Sequence, residues 1–351
     1  MAYNNKSEPD MLRILCRVGS GVILGTVGLL QGLSPVLAGE PALTTAQATA
    51  LVEQYRARPV QPWQIPDSKA LDQHPQAALI RQGMALLQQT TRLAGPRVAD
   101  PSQRLARNNL NCVNCHEAGP SGLPGSKPYA LPLVNAVNDY PKFDPKSMQV
   151  ISLEQRIAGM FGKGEVALTP DHPYMQAIVA YLRWLGSEAQ PGKRMLGAGL
   201  APLTLPARAA NPQQGAQLFA AQCAQCHGAS GQGMPAADFA TGGGYVFPPI
   251  AGDDSYDDGG HMYMVPLLTR FIHANMPLGS RADAPLLSVE QAYDIAAYVN
   301  SELARRHAPQ RVGAYPDPAL RPAGFAIPEH FPNDPEGYRR ARFGPFAPAP
   351  E

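Results

Sequence analysis

The sequence predicts an all-α protein built from two small helical units of one plan, joined by a Pro/Gly-rich linker and flanked by irregular N- and C-terminal extensions. Three observations predict it. A Cys-x-x-Cys-His pattern occurs at 112–116 and again at 223–227, 111 residues later. Each copy lies between stretches whose apolar residues recur at helical spacing. The 351 residues include 37 Pro and 33 Gly, and strand-forming residues seldom alternate, which favours short helices and long irregular loops.

Cys112-Val113-Asn114-Cys115-His116 and Cys223-Ala224-Gln225-Cys226-His227 have the form of a haem c attachment site. Two thiols about one helical turn apart match the two vinyl groups of the porphyrin. The His that follows reaches the iron from the same side as its proximal ligand. The two motifs use four of the five cysteines. A thioredoxin-like pair would need a βαβ context that is absent, and an all-cysteine zinc site would have no use for the trailing His. The expected cofactors are therefore two covalently bound haem c, attached through Cys112, Cys115, Cys223 and Cys226, with His116 and His227 on the irons. The porphyrin supplies core that a small loop-rich domain lacks. The plan is class I-like cytochrome c: a helix into the motif, a loop with the distal ligand, and a last helix crossing the first.

Residues 1–38 read as a cleaved signal peptide: Arg13 and Arg17, then a Gly-rich, largely apolar segment of sixteen residues from Val18 to Leu33, then Val36-Leu37-Ala38. The apolar segment is short for a membrane span of about twenty residues. Export implies a periplasmic location and no stable membrane span after cleavage. Cys16 leaves with the signal, so every remaining cysteine is a thioether site. The formal charge of +1 falls to about zero without the signal, which gives no footing for nucleic acid.

Residues 39–77 form an Ala-, Gln- and Pro-rich extension in which Trp63 packs onto a domain. The first cytochrome domain, 78–188, opens with a helix from about Pro75 to Leu93. A Pro/Gly-rich loop follows from Gly119 to Pro132. A short helix starts at the capping box Ser152-Leu153-Glu154-Gln155, and a last helix runs from about His172 to Leu185, ending at Gly186. Residues 189–210 are the linker. The second domain, 211–306, has a helix near Asn211–Ala221 and a last helix capped by Ser288 and Gln291. Residues 307–351 read as a Pro-rich tail wrapped on the surface.

Each iron needs a second axial ligand. In the second unit the candidates are His261, Met262, Met264, His273 and Met276. Met276 is preferred, because Pro277 stops a helix and holds the thioether, twelve residues before the last helix begins. The same measure selects Met160 in the first unit, 44 residues after His116. Met148 comes too early, Met175 lies on an apolar stripe, and His172 remains an alternative.

Several segments are more specific than the haem motifs: Cys112–Glu117, Leu123-Pro124-Gly125-Ser126-Lys127-Pro128, Ser152–Ile157, Tyr245-Val246-Phe247-Pro248-Pro249, Asn275-Met276-Pro277-Leu278-Gly279 and Arg342-Phe343-Gly344-Pro345-Phe346. Together they resemble the thiosulfate dehydrogenase family of dihaem c cytochromes over roughly Ala77 to Phe346. The resemblance implies an exported oxidoreductase that joins two thiosulfates into tetrathionate or runs the reverse. The first haem would be the active site and the second the relay to an external acceptor. The family's axial Cys, four residues after the Arg matching Arg156, is Met160 here. A second active-site Arg aligns with Lys146, a nearby Ser with Gly164, and a Lys that ligates the relay haem in some members with Asn275.

A neutral thioether favours ferrous iron more than a thiolate does, and axial ligand choice moves haem potential across roughly 0.8 V. The first haem is therefore expected to be a stronger oxidant than in the family. Arg156, one helical turn before Met160, and Lys146 are the candidate catalytic residues for receiving a small sulfur anion, thiosulfate or tetrathionate; Lys163 reads as a solvated surface charge. The alternative is a pure electron-transfer cytochrome with two His/Met haems, whose partner is another periplasmic cytochrome. A dihaem peroxidase, which needs a displaceable ligand, ranks below both.

Overall fold

The computed structural model describes residues 43–347. The expected signal, with Cys16, lies outside the described residues. The α-helices are α1 (Thr45–Arg56), α2 (Ala77–Gln88), α3 (Thr90–Ala94), α4 (Ala136–Asp139), α5 (Leu153–Phe161), α6 (Pro173–Leu185), α7 (Pro212–Gln222), α8 (Ala224–His227), α9 (Val265–Asn275), α10 (Val289–Ser301) and α11 (Pro335–Phe343). Strands of two or three residues pair only in twos. β1 (Val60–Gln61) runs parallel to β4 (Arg194–Met195), β2 (Lys142–Asp144) antiparallel to β3 (Gln149–Ile151), and β5 (Met234–Pro235) antiparallel to β6 (Tyr245–Phe247). The all-α class read from the sequence holds.

Two helix crossings organise the cores. In the first, Ile80, Leu86 and Leu87 of α2 meet Met175, Ile178, Tyr181 and Leu185 of α6. In the second, Phe219 of α7 packs with Tyr293, Ile295 and Val299 of α10, and α9 adds Leu268 and Ile272. Each crossing has a glycine at its closest point. A Cβ on Gly83 would lie 2.0 Å from the Ala177 carbonyl oxygen, and one on Gly215 would lie 2.0 Å from that of Asp294. Bare glycine surfaces let the backbones touch.

Local caps place the helix ends where the sequence puts them. Ser152 and Gln155 cap α5 reciprocally, Ser288 and Gln291 do the same for α10, and Gly186 closes α6. His172 is the N-cap of α6, its Nδ1 accepting the Tyr174 amide at 3.1 Å. Asp294 is buried on α10. It takes two hydrogen bonds from Arg208, at 2.8 and 2.9 Å, and one from the Asn211 amide at 2.8 Å, fastening the start of α7.

Three segments hold more structure than the sequence suggests. α1 forms in the N-terminal extension on a Thr44/Gln47 capping box, and Trp63 packs on the first core as expected. α9 occupies a stretch to which the sequence reading assigned no element; its Val265, Leu268 and Ile272 form a buried face, and Pro266 sits in its first turn, where proline is tolerated. The tail is a surface wrap only in part. Its Ala314, Tyr315, Phe325 and Ile327 bury Met264 in a third cluster. Arg342 is buried, donates to the Asn300 carbonyl and stacks 4.1 Å from the Tyr263 ring centroid. The Phe343 carbonyl accepts from Tyr293 Oη at 2.7 Å and from the Ala210 amide at 2.8 Å. The Arg-Phe-Gly-Pro-Phe segment is thus a clamp over the α7–α10 crossing.

Candidate haem and anion site

The first thiol pair sits on a single tight turn, Cys112–Asn114, with Cys115 closing it. Thr90 orders this turn: its Oγ1 donates to the Leu86 carbonyl at 2.7 Å and accepts the Cys112 amide at 3.1 Å. Asn111 ties it to α3 by accepting from the Thr91 amide. The second pair brackets the start of α8, which continues directly from α7 through Cys223. In both motifs the His amide donates to the carbonyl of the first Cys at 2.9 Å, which sets the imidazole one turn on from the thiols.

No cysteine among the described residues forms a disulfide. Burial pushes the Cys115 and Cys223 thiols up to about 11 and raises Cys112 as well, although Cys115 keeps an accessible face. A redox-active Cys-x-x-Cys pair needs a depressed thiol pKa, so the direction is wrong for thiol–disulfide exchange.

The imidazoles are fixed in the tautomer a metal needs. His116 Nδ1 lies 2.5 Å from the Leu131 carbonyl and His227 Nδ1 lies 2.8 Å from the Pro248 carbonyl. A carbonyl oxygen can only accept, so each Nδ1 carries the proton and each Nε2 presents a lone pair. Burial holds both imidazoles below their usual pKa, which keeps them neutral. Two thiols and an aimed, neutral imidazole on each turn fit a haem c.

The distal candidates separate. Met264 is fully buried in the third cluster and Met175 in the first core, so both are packing residues. His172 is engaged as a helix cap, and Met148 sits at a turn with φ of 57°. Met276 caps the end of α9 and packs against the second core, as Met262 does; His273 is half-buried on α9. Met160 lies on α5 one turn after Arg156, is 55% exposed, and flanks the buried stripe of Ile157 and Phe161.

Arg156 is half-buried and takes part in no ion pair among the described residues. Its charge acts on His116, Tyr140, Lys142, Lys146 and His261. Lys146 Nζ donates to the Gly259 carbonyl at 2.7 Å, and burial lowers its pKa. Lys142 is engaged 3.7 Å over the Tyr55 ring, and Lys163 is exposed. A Cβ on Gly164 would come 2.2 Å from the Leu105 carbonyl oxygen, so this backbone has no room for the family's Ser.

His261 has neighbours that the sequence reading did not foresee. Read there as a possible ligand in its own half, it follows the Gly259 carbonyl held by Lys146 and faces the cations of the first half. Burial, then Arg156 and Lys146, push its pKa down to about 4; Lys142 adds to this and Asp144 opposes it. The residue as a whole is solvent-exposed. Nothing local in the sequence signals this placement, since it depends on how residues 256–263 lie across the first unit.

Two cysteine–histidine turns with iron-ready imidazoles, each flanked by a glycine-centred helix crossing, define a c-type cytochrome, and the Cytochrome c family profile matches residues 212–302. The chain belongs to the thiosulfate dehydrogenase family. It is 34% identical over 241 residues to a thiosulfate dehydrogenase of Stutzerimonas stutzeri, covering 68% of this chain and 72% of that one. It is 36% identical over 194 residues to that of Allochromatium vinosum, covering 55% and 68%. Among solved structures, a thiosulfate dehydrogenase (TsdBA) of Marichromatium purpuratum superposes with a TM-score of 0.58 at 31% identity, covering 69% of this chain. This chain spans about half of that solved chain, 49% of it. No helix among the described residues is long and apolar enough to cross a membrane.

Proposed function

We propose that the protein is an exported dihaem oxidoreductase acting on thiosulfate or tetrathionate, with haem-binding units at 78–188 and 211–306. Cys112, Cys115 and His116 would hold the first haem and Cys223, Cys226 and His227 the second, with Met160 and Met276 as distal ligands. Joining two thiosulfates forms one S–S bond and releases two electrons; bound haem would supply the one-electron acceptor chemistry for them, with an external cytochrome as the final acceptor. The residues of this chain bind and orient the anions. Arg156 offers a guanidinium free of ion pairs among the described residues, Lys146 a second positive charge, and neutral His261 a hydrogen bond from the other half.

The observation that carries this reading is that Arg156, whose charge reaches His116, also lies within electrostatic reach of Lys146 and His261. Stopped-flow mixing of the oxidised protein with thiosulfate tests it: reduction at a useful rate is expected. Silence toward thiosulfate, with rapid exchange with another cytochrome, would establish the carrier instead.

His261 makes the anion site pH-dependent. It is neutral at pH 7, and falling pH protonates it toward about 4. The added charge attracts a dianion, and the bound dianion in turn favours the proton. The KM for thiosulfate should therefore fall between pH 7 and 5 in the wild type. In His261→Asn it should stay flat over that range, measured by steady-state kinetics.

A further inference from the structure

We infer that Asn275 is a positioning residue that ties the loop carrying the distal ligand of the second haem to the loop that orients the proximal histidine of the first. The inference rests on the ligand assignment above for its endpoints, His116 and Met276. Asn275 is 2% exposed. Its Nδ2 donates across the two halves to the Tyr129 carbonyl at 3.1 Å and, within α9, to the Phe271 carbonyl at 3.1 Å. Two carbonyl acceptors fix the amide orientation, because the side-chain oxygen could bond to neither.

The contact with Tyr129 links the residues proposed to hold the two haems by short routes. Two residues beyond Tyr129, the Leu131 carbonyl accepts the His116 Nδ1 proton at 2.5 Å. Tyr129 and Leu131 both have positive φ, 63° and 52°, where side-chain-bearing residues sit only when neighbours hold them. The Tyr129 amide is bound as well, to the Gly197 carbonyl at 2.8 Å. On the other side, Met276 follows Asn275 directly. The run from Met276 through the Asn275 amide, the Tyr129 carbonyl and Leu131 to His116 is a single connected path. Proximal-ligand hydrogen bonds tune a haem's electronics, so a change at Asn275 in the second half is felt at the first haem. The same path fixes how the two haem loops sit for electron passage between them.

The test uses the haem-loaded protein, with both midpoint potentials and the weak far-red band of Met-ligated ferric haem as readouts. Asn275→Leu keeps the volume and removes the donor. It should shift the midpoint potential of the first haem as well as the second, and weaken the far-red band about twofold. Leu268→Ala opens space on the same helix without touching Tyr129, and should leave the first haem where it was. An unchanged first-haem potential in Asn275→Leu, or an equal shift in Leu268→Ala, overturns the inference. A wild-type spectrum without the far-red band would remove Met276 from the iron; the first-haem shift would still decide the role of Asn275.

Discussion

Replacing Arg156 by Ala should lower kcat/KM for thiosulfate roughly 30- to 150-fold. A charge-assisted hydrogen bond to a bound anion contributes about 2–3 kcal/mol, and each 1.36 kcal/mol is a factor of ten in rate. The loss should be mostly catalytic, because Arg156 is free of ion pairs among the described residues and its neighbours Ile157 and Phe161 carry the packing of α5. Arg156→Lys keeps the charge without the planar fork and should recover part of the rate. Steady-state kinetics with thermal melts of each variant checks this. A change under about threefold in Arg156→Ala would make the residue an ordinary surface charge.

The second large effect is on stability. Gly83→Ala or Gly215→Ala should destabilise its helix crossing by about 2–3 kcal/mol. Alanine is the better helix former by about 1 kcal/mol, so an exposed site would gain from either change. Here the new methyl would sit 2.0 Å from a carbonyl oxygen of the facing helix in both cases, and the helices would have to part. Overpacking wins over propensity. Chemical denaturation of the haem-loaded variants should show the lower midpoint. Gly159→Ala on α5, where a Cβ would meet nothing within 4 Å, should be neutral or slightly stabilising.

What could be read in the sequence was local chemistry. Ser152 with Gln155 and Ser288 with Gln291 mark helix starts because the partners lie three residues apart, and the structure forms both boxes. The haem turns are equally local. α9 was hidden because its stripe overlaps a run of Met and His residues weighed as distal ligands. The third cluster and the Arg342 clamp depend on partners such as the Asn300 carbonyl, 42 residues away, which no periodicity reveals. The same holds for the site. Arg156 and Lys146 were found by resemblance, whereas His261 and Asn275 take their places only once the two halves meet through Lys146–Gly259 and Asn275–Tyr129.

The intact mass of the mature, exported protein, combined with thiol titration, bears most directly on the proposal of two haems stitched to this chain through all of its remaining cysteines. The expected mass is that of the processed polypeptide plus two haems, with no thiol available to alkylating reagents. A mass carrying one haem or none, or a mature chain with a free thiol, would contradict it.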